Sequence, residues 1–207
     1  VQASRFVLVA TWVATATFAQ QIPQPPATIT VEEPYAALAG RLLQAPDDPV
    51  RDALLAAQAS LATRALVSAI NETGNSHALR HDYAPARRAY AVACRVAQGI
   101  GDAHGELFCR VGQANCSLGE AHYDDALAAY DQLLQEAAAR QDHAAMARVL
   151  HGIGLAYRSR SEHAEAESFY NRALAEAALA GDEEQTAQIE MHVGNLLAFL
   201  TRYREAT

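Results

Sequence analysis

A register of forty residues runs from Tyr83 to the end of the chain without a single insertion. Tyr83, Tyr123, His163 and Tyr203 fall on it, and so do Ala86, Ala126, Ala166 and Ala206. Tyr90, Tyr130 and Tyr170 follow the same spacing, as do Asp102, Asp142 and Asp182. A fixed period in this range marks stacked supersecondary units, each too small to bury its own apolar face alone.

Within the period the residues read as helix. Alanine is the commonest residue of the 207, and the runs between breakers are ten to eighteen helix formers long. Val and Ile never alternate with polar residues over a stretch, and the only extended-looking segment, 27–31, lies beside prolines. The expected fold is all-α, a solenoid of antiparallel helical hairpins. In the best-preserved unit the first helix spans His143 to about Ser159 and the second His163 to about Leu179, closed by Ala180-Gly181-Asp182. Glycine after the last apolar turn is a stop signal, and aspartate caps the helix that follows.

The expected organisation is a signal peptide at 1–19, a Pro-rich linker at 20–34, a helical amino-terminal cap at 35–62 and repeats over 63–207. The units are 63–102, 103–142, 143–182 and a truncated 183–207. The leader rests on Arg5, the uncharged run Phe6 to Ala19 and small residues near a cleavage point, followed by Ile22-Pro23-Gln24-Pro25-Pro26. The run falls short of the roughly 20 apolar residues of a spanning helix, so export is preferred over an uncleaved anchor or a mistranslated start. Val1 in place of Met, and a last unit cut off at Thr207, lead to the expectation of a fragment of a longer protein.

Small residues recur where helices must approach. Gly74, Gly154 and Gly194 share one position, with Ala114 filling it in the remaining unit. Glycine inside a helix costs about 1 kcal/mol relative to alanine, so its recurrence implies a larger packing gain. The tyrosine four residues after each register alanine lies on the same helix face and is expected to fill the volume left open.

Ile153-Gly154-x-x-Tyr157 followed by Ala166-x-x-x-Tyr170 resembles the tetratricopeptide pattern L-G-x-x-Y then A-x-x-x-F. The match is strong over 143–182, good over 103–142 and partial for the units near 63 and 183. The departure is the period: the usual repeat has about 34 residues and a closing proline, whereas these units look like the forty-residue variant of kinesin light chains and many bacterial signalling proteins. The resemblance implies a right-handed superhelix with a concave, partner-binding groove lined by the first helix of every unit. The apparent leader, the two short helices Tyr35 to Ala45 and Asp48 to Ser60, and the repeats together look like the amino-terminal half of exported bacterial proteins that carry a caspase-like CHAT peptidase domain. That family's Cys and His would lie beyond Thr207, so no residue here inherits those roles.

In tetratricopeptide repeats the residue after the small position faces the groove. Here it is Asn75, Asn115, Leu155 and Asn195. An asparagine offers an acceptor and a donor together, which suits an extended peptide backbone. The competing reading has these side chains bonding a neighbouring helix or solvent. The same resemblance places Phe108, Val111, Arg148, His151, Arg158, Gln188 and Met191 in the groove, a mixture that fits a protein surface better than a small-molecule pocket. A third reading is a structural spacer whose groove is filled by residues 20–34.

Other chemistry is poorly supported. The formal charge of −8, with sixteen Arg, no Lys and no basic stripe, argues against a nucleic-acid binder. There is no G-x-S-x-G, P-loop, dinucleotide fingerprint or H-E-x-x-H, so neither a catalytic constellation nor a cofactor is expected. His77 and His81 have metal-compatible spacing but no third ligand. Glu183-Glu184 and Asp124-Asp125 sit at helix starts, where carboxylates meet the helix dipole. Cys94, Cys109 and Cys116 read first as small packing residues; Cys109 and Cys116 are too far apart along one helix to bridge, and a Cys94 bridge to the next helix stays open in an oxidising compartment.

Overall fold

A computed structural model describes residues 33–206. The expected leader, most of the expected linker and the 27–31 segment lie outside the described residues. Within them the chain is all-α, with no strand. Its helices are α1 Glu33–Gln44, α2 Asp48–Ala57, α3 Arg64–Leu79, α4 Tyr83–Ile100, α5 Ala103–Gly119, α6 Tyr123–Ala139, α7 His143–Ser159, α8 His163–Ala180 and α9 Glu183–Ala206.

The differences from expectation are local. The first helix begins at Glu33, not Tyr35, because Pro34 falls in its first turn, where a missing N–H costs nothing. The second stops at Ala57 and gives way to a 3-10 turn, Ala59–Leu61. No α2 residue is buried. Its start is capped by Asp47, whose carboxylate accepts from the Val50 N–H at 3.0 Å. It is tied down by arginines: Arg51 donates to the Leu42 and Ala45 carbonyls, and Arg95 of α4 reaches Asp48 and Asp52 at 3.1 and 2.8 Å.

From α3 onward each helix packs on the next, and α3, α5, α7 and α9 also touch in succession. The hairpins are made by single left-handed residues twenty apart: His81, Gly101, Ala121, Gln141, Ser161 and Gly181, with φ between 54° and 69°. At Gly181 the Asp182 N–H reverses to the Ala177 carbonyl at 3.1 Å, the hydrogen bond that closes a Schellman end. Asp142 and Asp182 then cap α7 and α9, accepting from the Ala145 and Gln185 N–H groups.

The register tyrosines are the largest fully buried side chains and each sits against a glycine. A Cβ on Gly74 would lie 2.6 Å from the Tyr90 ring, and one on Gly154 would lie 2.6 Å from the Tyr170 ring. A second small position does the same from the following unit: Gly112 meets Tyr90, and Gly152 meets Tyr130 at 2.6 Å. Tyr90 is therefore wedged between Gly74 of its own unit and Gly112 of the next, while Tyr130 meets the glycine of the following unit and Tyr170 that of its own.

Cys94 of α4 is bonded to Cys109 of α5, with Cα atoms 5.5 Å apart. The reading of all three cysteines as packing residues is corrected for this pair, because α4 and α5 run side by side at that level. Cys116 is a buried free thiol.

Candidate functional site

Two of the three register asparagines are oriented from behind. The Tyr90 hydroxyl donates to Asn75 Oδ1 at 2.7 Å, and the Tyr130 hydroxyl donates to Asn115 Oδ1 at 2.5 Å. Both asparagines are exposed. With the carbonyl held inward, each turns its amide N–H pair outward, so what the surface presents is a donor and not the mixed donor and acceptor read from the sequence. Asn195 is also exposed, on α9.

The other expected groove residues divide by depth. Phe108 is half-buried beneath the Arg148 guanidinium, 4.5 Å above its ring centroid, and Arg148 also reaches Asp182 at 3.5 Å. Val111 is 4% exposed and belongs to the core, so it supports the face without lining it. Gln188 is exposed and donates to Glu184 one turn back on α9. Met191 is 56% exposed.

His151 and Arg158 belong to a different arrangement, centred on Tyr170. At the position of Asn75 and Asn115 the third unit carries Leu155, and the fully buried Tyr170 hydroxyl has no hydrogen-bond partner. Beside it lies His151, 9% exposed, with ring centroids 5.9 Å apart. Gln185 Nε2 lies 3.0 Å from His151 Nδ1. The amide nitrogen is a donor, so the imidazole carries its proton on Nε2, and that Nε2 is also buried without a partner. His192 stacks near both rings, 4.9 Å from His151 and 6.2 Å from Tyr170, and its Nδ1 accepts from Arg158 at 3.3 Å. Burial, then the basic neighbours His192, Arg148 and Arg158, push the His151 pKa down to about 3. Burial and Arg158 lower that of His192. Two unsatisfied buried donors cost about 1–3 kcal/mol each, and no other unit carries such a pair of Tyr and His.

The sequence did not single out Tyr170, Gln185 or His192 as site residues. The available signal was departure from the register. Gln185 stands where other units have Ala65, Gly105 and Ala145, and His192 where they have Glu72, Gly112 and Gly152.

The remaining candidates are structural in their contacts. α3 ends before His81, which is left-handed and bonds the Tyr83 hydroxyl, while His77 lies near Arg80 and Asp82. Asp124 pairs with Arg160 across the turns. Among the described residues no group of three metal-ligating side chains converges, and no helix is long and apolar enough to cross a membrane. The chain matches no protein-family model and no curated protein.

Proposed function

We propose that this chain is a tetratricopeptide-like interaction scaffold that binds an extended segment of a peptide or protein partner along the face built by α3, α5, α7 and α9. The observation that carries the reading is the pair Asn75 and Asn115, held by buried tyrosine hydroxyls so that their amide N–H groups point outward at a forty-residue repeat. Outward donors at a fixed spacing suit backbone carbonyls irrespective of the partner's side chains. Each such bond contributes roughly 0.5–1.5 kcal/mol net, so affinity depends on several units together.

The fold supports this reading through the succession of contacts between α3, α5, α7 and α9, the pattern expected of a right-handed helical-hairpin solenoid. The Cys94–Cys109 disulfide supports export to an oxidising compartment.

The test separates donor from scaffold. Asn75→Asp with Asn115→Asp keeps an oxygen for each tyrosine and removes the outward amide. Peptides selected from a displayed random library on the wild-type chain are expected to bind the double variant about tenfold more weakly or worse, with unchanged helicity. Equal affinity in a titration rejects the asparagine grip.

A further inference from the structure

We propose that Tyr170, His151, His192 and Arg158 form a binding site for a small oxyanion, a phosphate or a carboxylate group, at the junction of α7, α8 and α9. The proposal does not depend on whether the long face takes a peptide.

Three independent observations converge. The first is chemical: the Tyr170 O–H and His151 Nε2–H are buried donors without acceptors. His192, whose Nδ1 accepts from Arg158, is fixed in the same tautomer, with its N–H on Nε2. The site is thus made of donors, which is what an oxyanion requires and what a metal ion does not. The second is electrostatic. In a chain of formal charge −8, the groups that bear on His151 are the imidazole of His192 and the guanidinium groups of Arg148, which also reaches Asp182, and Arg158, and the one bearing on Tyr170 and His192 is Arg158. Arg158 makes no ion pair with a described carboxylate, in contrast to Arg110, which forks Glu136 at 2.6 and 2.8 Å.

The third observation is the pattern of departures. Leu155 replaces the asparagine that accepts from the tyrosine in the two preceding units, and His192 replaces the glycine against which the preceding tyrosines pack. Arg158 and Gln185 likewise stand where the other units carry apolar or small residues, and Gln185 bonds His151, which lies beside the same ring. A stack built only for packing would keep Asn and Gly here as it does elsewhere. The enclosure sets the ligand's size: Tyr170 is fully buried and His151 nearly so, while His192 and Arg158 are partly exposed and form the outer wall. Donors this deeply buried suit a single oxyanion group and not a folded surface or helix.

The test uses the full chain at pH 7 and follows thermal unfolding with inorganic phosphate or acetate against chloride at equal ionic strength. Leu155→Asn restores the acceptor that Asn75 and Asn115 provide, and Tyr170→Phe removes the donor. Phosphate or acetate is expected to raise the wild-type midpoint saturably, with apparent affinity reduced about tenfold or more in both variants. A response to phosphate alone identifies a phosphate site, and one to acetate alone a carboxylate site. No response, or the same unsaturable response in wild type and variants, overturns the proposal, because the two donors are then met by solvent only. If a variant fails to fold, imidazole resonances of the wild type decide. Saturable shifts at His151 and His192 that spare the exposed His122 support the site, and their absence rejects it.

Discussion

The Tyr130 hydroxyl donates to Asn115 Oδ1 fifteen residues earlier in the chain, joining the second helix of a unit to the outer face of its first. Tyr90 repeats the bond with Asn75, and Tyr170, facing Leu155, does not. The three tyrosines therefore form a controlled series. Tyr130→Phe is expected to cost about 0.5–1.5 kcal/mol in urea unfolding, whereas Tyr170→Phe, in anion-free buffer, costs nothing or stabilises. Equal losses at both positions would show that the hydroxyl bond adds nothing to the stack.

The glycines that receive these rings set a second expectation. A Cβ at Gly112 would overlap the Tyr90 ring, while one at Gly194 meets nothing within 4 Å. Gly112→Ala is therefore expected to destabilise by about 1–3 kcal/mol through overpacking, despite alanine's helical preference. Gly194→Ala gains that preference, up to about 1 kcal/mol. Thermal unfolding of the two single variants checks the opposite signs.

Much of this architecture was legible because it repeats. Gly, Asp and the alanine-rich runs marked the helices, and Gly74 and Gly154 announced the tyrosine wedges. The second small position, Gly112 and Gly152, escaped notice because His192 and Glu72 interrupt it. Four of the six left-handed turns gave no signal, since His81, Ala121, Gln141 and Ser161 are not turn glycines and are held there by the helices on either side. The Tyr170 cluster was illegible for a different reason. His151, Leu155, Arg158, Gln185 and His192 are each ordinary substitutions in a degenerate repeat, and only their meeting across α7, α8 and α9 makes a site.

The left-handed turns can be tested directly. Ala121 has φ 63° and sits in the turn between α5 and α6. A non-glycine residue there carries roughly 1–2 kcal/mol of strain, part of which glycine loses again through its freer unfolded chain. Ala121→Gly is expected to stabilise by about 0.5–1 kcal/mol in urea unfolding, and a net loss would mean that the turn is not strained.

The Cys94–Cys109 bridge encloses a short loop spanning the α4–α5 turn, with a sequence separation of 15. Restricting a loop of that size in the unfolded chain is worth about 3 kcal/mol. Reduction by dithiothreitol is expected to lower stability by about 2–3 kcal/mol and to free two thiols. Cys116, buried beneath its neighbours, should remain unmodified by iodoacetamide until the chain unfolds. Three reactive thiols in the native, unreduced protein would contradict the pairing.

Acid sensitivity should be concentrated at His151. Burial and the surrounding positive groups hold its pKa at about 3 in the folded chain, while in the unfolded chain it titrates at the usual 6.5. Below 6.5 the unfolded state binds a proton that the folded state refuses, so stability falls as the pH drops from 6.5 toward 3 and is constant above that window. Between pH 7 and pH 5 the loss from this one group is about 2 kcal/mol. His192, shifted in the same direction by burial and Arg158, adds to it. His151→Val, which installs the residue found at the equivalent Val111, should remove most of the His151 share. The measurement is the difference in urea-unfolding free energy between pH 7 and pH 5 for the two proteins, and an unchanged difference would show that His151 is protonated in the folded state like an exposed imidazole.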